Sequence, residues 1–183
     1  MNIFPDPTAT FQNQTPDIGK LGEQLVAEWL QAQGWVILHH RWRCRWGEID
    51  LITCSEVGAR ADYTTPSETN RPLNSLNSSL LAFVEVKTRK PGNWDEGGRL
   101  AITPSKQAKL RQTAELFLAA RSDLADFPCR FDVALVSCQR LSQPSSHAAT
   151  DEAVQVPPLE LGQPIVAAGY QLILKDYIQS AFS

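Results

Sequence analysis

No stretch of this 183-residue chain approaches the ~18 consecutive apolar side chains that a membrane-crossing helix needs. Its first residues, MNIFPDPTATFQNQTPD, have neither the basic start nor the apolar run of a secretory leader. None of the four cysteines, Cys44, Cys54, Cys129 and Cys138, forms CxxC, and none stands near a histidine at zinc-finger spacing. The expectation is a cytoplasmic protein with reduced thiols; a four-cysteine zinc site requires the fold to gather all four. His39, His40 and His147 show no partner spacing. P-loop, dinucleotide-binding glycine and GxSxG patterns are absent, so NTPase, dinucleotide and serine-hydrolase readings have no support. Nor does one sign of charge dominate: 17 Lys and Arg against 20 Asp and Glu give a net charge of -3. That excludes a wholesale polycation, but nucleic-acid binding depends on local charge.

Local charge is uneven. Residues 84–111 carry seven cations against three anions, and residues 122–183 carry three against seven. The basic middle is a candidate phosphate-facing patch, and a solvated helix face explains it equally well. Apolar residues make up 43% of the chain, enough to bury one sizeable core, and the length suits one domain. Residues 1–16 are polar and aperiodic and read as a loose tail. Residues 55–79 contain almost no large apolar side chain and read as a disordered insertion. Residues 139–164 look similar.

Between these segments the pattern is regular. Thr15-Pro16 opens a helix on which Ile18, Leu21, Leu25, Val26, Trp29 and Leu30 recur at helical spacing, up to a stop at Gly34. Strands are expected over 35–42, 47–54, 80–88, 130–138 and 168–178. A second helix runs from Thr103-Pro104 to about Arg121. The first three strands follow too closely for long crossovers, so they form an antiparallel meander. The fourth returns after a helix and can join as a parallel neighbour. The fold class is therefore α/β: a mixed β-sheet flanked by helices, in the order α-β-β-β-α-β-β.

Charge stands where the pattern calls for burial. Glu85 and Lys87 share one face of the third strand, Phe83-Val84-Glu85-Val86-Lys87. In Gly47-Glu48-Ile49-Asp50-Leu51-Ile52, Glu48 and Asp50 share one face, and Ile49 and Leu51 the other. Buried charge costs several kcal/mol unless it is paired or used. A plain Glu–Lys ion pair is one reading. The other is that Asp50 and Glu85 come opposite one another on paired strands and repel unless a divalent cation neutralises them. Oxygen ligands of this kind suit Mg²⁺ or Mn²⁺, and the Val86 backbone carbonyl can add another. Lys87 can then orient a water or offset charge on a phosphate. Glu23 lies beside the packing stripe of the first helix, either as part of this site or as an exposed edge residue.

Arg89, Lys90, Arg99, Lys106, Lys109 and Arg111 can track a phosphate backbone. Arg41, Arg43 and Arg45 alternate along the first strand, with Trp42 and Trp46 on its other face. Such interleaving suits a single-stranded or branched nucleic acid, and ordinary packing is the favoured reading of both tryptophans. Asp132 is read as a structural ion-pair partner, of Arg130 or of a helix cation.

Asp50, a gap and then Glu85-x-Lys87 resembles the PD-(D/E)XK nuclease pattern of the restriction-endonuclease-like fold. Further segments make the resemblance more specific: Gly19-Lys20-Leu21-Gly22-Glu23, Gly47-Glu48-Ile49-Asp50-Leu51-Ile52, Phe83-Val84-Glu85-Val86-Lys87-Thr88-Arg89, Ile102-Thr103-Pro104-Ser105-Lys106-Gln107, Arg130-Phe131-Asp132-Val133 and Ala181-Phe182. In this order they look like the YraN-type family of small bacterial proteins. The resemblance spans residues 17–182 apart from the two insertions. It implies one nuclease-like domain with a metal-dependent site at Glu23, Asp50, Glu85 and Lys87. It also implies a nucleic-acid partner, DNA before RNA, and a possible homodimer. Two alternatives stay open: a nucleic-acid-binding protein of the same fold that does not cleave, and an adaptor that docks through its polar insertions.

Overall fold

A computed structural model of the chain describes residues 16–55, 79–92, 102–142 and 159–183. Two α-helices and six strands occur among them: α1 (Ile18–Ala32), β1 (Trp35–Cys44), β2 (Gly47–Ser55), β3 (Leu80–Arg89), α2 (Pro104–Ala120), β4 (Cys129–Arg140), β5 (Pro164–Ala167) and β6 (Tyr170–Phe182). The strands form one mixed sheet in the order β1-β2-β3-β4-β6-β5. β1, β2 and β3 are the expected antiparallel meander, and β4 returns after α2 to lie parallel to β3. None of the described helices is long and apolar enough to cross a membrane.

The helix ends follow capping chemistry. α1 begins two residues later than expected: Asp17, not Thr15, is the N-cap, and its carboxylate accepts from the Gly19 and Lys20 amides. The chain leaves α1 through Gly34, whose φ of 85° suits the left-handed position after a helix end. α2 opens as expected, with the Thr103 hydroxyl accepting from the Lys106 amide and Pro104 in the first turn.

Alternation along β3 sorts the core into two layers. Ala82, Val84 and Val86 join Leu25, Val26 and Leu30 of α1. Leu81 and Phe83 join Leu110, Ala114 and Phe117 of α2. Phe117 is the hub of the second layer and meets His39, Trp42 and Phe83 edge-on. Close approach of α1 to β3 needs a glycine, because a Cβ at Gly22 would stand 1.9 Å from the Thr88 hydroxyl.

The last part of the chain differs from the expectation. The strand expected over 168–178 is β6, which runs on to Phe182, and a further strand, β5, precedes it and pairs with it across the turn at Ala168-Gly169. β4 also runs on to Arg140 and β5 starts at Pro164, so structure extends into both ends of the supposed 139–164 insertion. The polar composition there hid an edge strand, Pro-Ile-Val-Ala, too short to show periodicity. Most of that segment, nearly all of 55–79, residues 1–15, and Arg99 and His147 lie outside the described residues.

Candidate active site at the fork between β2 and β3

The β2–β3 ladder runs from Ser55↔Leu80 to Leu51↔Val84 and stops there. One step further, Asp50 and Glu85 would be cross-strand partners. Instead the Val86 amide donates to Asp50 Oδ2 at 2.7 Å. A side chain thus takes the hydrogen bond that a neighbouring strand would otherwise provide, and the strands part. The expected arrangement of β2 changes with it: Ile49 packs in the α2 layer and Leu51 in the α1 layer, so they do not share a face. Glu48 stays at the surface, bonded to Arg43 at 2.7 Å.

Asp50 and Glu85 are both buried, at 8% and 3% exposure. Burial, then the Glu85 charge, push the Asp50 carboxyl up to about 7; Glu23 adds to the rise, and the Val86 amide and Lys106 oppose it. Glu85 Oε1 accepts from Lys87 Nζ at 2.6 Å and lies 3.1 Å from Lys106 Nζ. Glu85 Oε2 is buried with no hydrogen-bond partner among the described residues. One oxygen therefore holds two ammonium groups while the other holds none, which is unusual for a buried carboxylate.

Glu23 completes the acidic surroundings but is separately clamped. Arg41 grips it with two bonds, Nε to Oε2 at 2.6 Å and Nη2 to Oε1 at 2.7 Å. That carboxylate holds the Arg41 guanidinium above its ordinary range. Arg41 reaches across because its backbone sits at φ 49°, a left-handed position rare for a side chain of this size. Periodicity placed Arg41 on a basic strand face with Arg43 and Arg45. In the structure it turns to α1, Arg43 pairs with Glu48, and Arg45 lies in the turn after β1. No pattern in the sequence announced the Arg41 clamp.

Three of the four expected site residues thus meet at the fork: Asp50, Glu85 and Lys87. Glu23 stands behind them, near enough to act on Asp50 through its charge. Among the described residues, no three His, Cys, Asp or Glu side chains gather closely enough to hold a metal ion. A metal here would therefore rest on Asp50, Glu85 and the Val86 carbonyl, with Glu23 outside. The unpaired Glu85 Oε2 and the raised Asp50 proton affinity fit such an ion: the first is an acceptor oxygen left open to ligate, and the second marks a carboxylate whose charge the surroundings disfavour.

The described cations among those expected to follow a phosphate backbone have different surroundings. Lys106 faces Glu85, and Lys109 is exposed one turn further along α2. Arg111 instead bonds the Ser183 carbonyl and lies over the Phe182 ring. Lys90 lines a different cavity of about 800 Å³, with Arg140, Cys138 and Tyr170 among its walls. Arg89 closes β3 opposite Ser137. The reading of Asp132 as structural agrees with its surroundings: the fully buried carboxylate accepts from Arg130, Tyr177 and the Ser180 amide.

Residues 22–136, which hold the whole fork, match the model of an uncharacterised protein family, UPF0102. The chain belongs to that family. It is 45% identical to a UPF0102 protein of Trichodesmium erythraeum over 100% of this chain and 97% of the relative. It is 46% identical to one from Acaryochloris marina, over 98% and 99%. A Synechocystis member is 43% identical over 91% and 97%. UPF0102 is the YraN-type family to which the motif order pointed.

Proposed function

We propose that this UPF0102 protein is a metal-dependent endonuclease that hydrolyses phosphodiester bonds in DNA, branched or damaged forms included. The observation that carries the reading is the pair of buried carboxylates at the fork, one with an unpartnered oxygen and the other with its proton affinity raised. Asp50, Glu85 and the Val86 carbonyl are the groups that would hold Mg²⁺ or Mn²⁺. Such an ion, when bound, supplies Lewis acidity to a phosphoryl oxygen and a more acidic water. Lys87 holds Glu85 in place and offers its ammonium to charge that develops on the phosphate. Lys106, on the same oxygen, is a second such cation at the start of α2. Glu23, fixed by Arg41, adds negative charge behind Asp50 without taking part in ligation. A homodimer would supply one such site to each strand of a duplex.

The test is cleavage of branched, single-stranded and duplex DNA by the purified protein with Mg²⁺ or Mn²⁺. Asp50→Ala is expected to lower the rate by about 10³-fold, the scale of losing several kcal/mol of metal-supplied stabilisation. Failure of the wild type to cut any of the three, or equal rates for the variant, sinks the reading.

One observation favours a second reading. Lys87 and Lys106 together already neutralise Glu85 without an ion, as a nucleic-acid-binding protein that does not cleave would require. In that case Glu85→Ala leaves DNA affinity intact, and binding still weakens steeply with salt.

A further inference from the structure

The β1–β2 turn carries a feature that neither the fold nor the fork explains. Cys44 pairs with Gly47, so the loop is two residues, Arg45 and Trp46. Turns of this length favour Gly, Asn or Asp, because the usual conformations need positive φ. Arg45 and Trp46 are not among the residues with positive φ, and the turn is instead tied by the Trp46 amide donating to Cys44 Sγ at 3.4 Å. Turn chemistry therefore does not account for a tryptophan at this place. Packing does not account for it either. Trp46 is 43% exposed, whereas Trp29 and Trp35 pack on the α1 layer and Trp42 on Phe117.

The Arg45 guanidinium lies 5.1 Å from the centre of the Trp46 ring, and Arg43, two residues earlier in the chain, is exposed with Glu48 as its partner. An aromatic plate with a stacked cation is the chemistry that holds an unpaired nucleobase and its phosphate. The turn is also tied to the fork. Cys44 donates to the Thr113 hydroxyl at 3.7 Å, and Thr113 stands seven residues beyond Lys106 on α2, about 10 Å at the helical rise. Along β2, Trp46 precedes Asp50 by four residues, about 13 Å of strand.

We propose that the Arg45–Trp46 turn is a stacking platform for one unpaired nucleobase of a single-stranded segment of DNA. A strand that rises about 3.4 Å per nucleotide places that base about four nucleotides from a phosphate at the fork. The spacing rests on the nuclease reading; the platform itself needs only binding.

The experiment measures fluorescence anisotropy of labelled oligo(dT) and of a blunt duplex with the full chain, in chelator so that no cleavage occurs. Trp46→Ala is expected to weaken oligo(dT) binding by about 5- to 150-fold, the range for losing one base–aromatic stack. Duplex affinity is expected to change less than about twofold, and Trp46→Phe to keep most of the single-strand affinity. Unchanged oligo(dT) affinity in Trp46→Ala, an equal loss on both substrates, or no wild-type binding to oligo(dT) overturns the platform. Cleavage with Mg²⁺ is scored separately. Selective loss of single-strand binding in a protein that cuts nothing leaves the platform standing and removes the nuclease; normal cutting with unchanged affinity does the reverse.

Discussion

Asp132 and the Asp50–Glu85 pair are buried to a similar degree, yet their surroundings differ. Asp132 meets a guanidinium at 2.9 Å, a phenol at 2.8 Å and a backbone amide at 2.9 Å. The amide comes from Ser180, whose φ of 49° sits where β6 shifts register against β4, so the backbone bends to reach the carboxylate. Both of its oxygens are satisfied by the chain. At the fork, Asp50 takes one amide and has its proton affinity raised, while Glu85 leaves an oxygen bare. The Asp132 carboxylate is thus fully satisfied from within, whereas the fork pair is satisfied only in part. The contrast separates the two without reference to any relative.

The sharpest way to break this contrast is to neutralise Glu85 without changing its shape and to remove the Asp132 carboxylate altogether. Glu85→Gln is expected to cut phosphodiesterase activity by about 10³-fold while the protein stays folded. Removing the Asp132 side chain acts on stability instead. Asp132→Ala strands the Arg130 charge and is expected to cost about 3–5 kcal/mol, lowering the melting midpoint by on the order of 10 °C. An Asp132→Ala protein that melts like the wild type would falsify its architectural role.

Asp50 sharpens the comparison through pH. Its carboxyl titrates at about 7 in the folded chain against 3.8 as the ordinary value. The folded state therefore binds this proton more tightly, so stability falls as pH rises from about 4 through about 7 and then levels off. Asp50→Asn removes that loss. Without divalent ions it is expected to be the more stable form, by on the order of 4 kcal/mol at pH 8 and progressively less towards pH 4. Denaturant titrations at both ends of the range check this, and a difference that does not grow with pH contradicts it.

Smaller effects probe the supports. Gly22→Ala forces a methyl group onto Thr88 and is expected to cost about 1–3 kcal/mol, read from the shift in denaturant midpoint. Tyr177→Phe removes one of three donors to Asp132 and is expected to cost about 1 kcal/mol, with no change in cleavage. A large loss of cleavage in Tyr177→Phe would mean that the two acidic sites are coupled.

The parts of the molecule legible in the sequence are those where a local pattern and the tertiary context agree. The apolar run of β3, the Thr103-Pro104 helix start and the short β1–β2–β3 connections left little freedom, and the meander with its parallel return follows from them. Glu85 and Lys87 stood out because charge interrupts a buried strand. The Arg41 clamp was not legible, since a left-handed backbone in mid-strand turns a side chain away from the face that alternation assigns it. Lys106 read as one cation among six, because charge counts carry no direction and only the packing of α2 brings it to Glu85. The β5–β6 turn at Ala168-Gly169 was missed because β5 has only four residues, too few to separate from the polar segment before it.

The fork carries a last implication. Where the β2–β3 ladder stops, Asp50 takes the amide that would otherwise extend it. The acid proposed to hold the metal is thus also the wedge between the two strands, and a side chain unable to accept there invites the strands to close over Glu85. Under the nuclease proposal, access to Glu85 and the end of the β2–β3 ladder are then set together, at one residue.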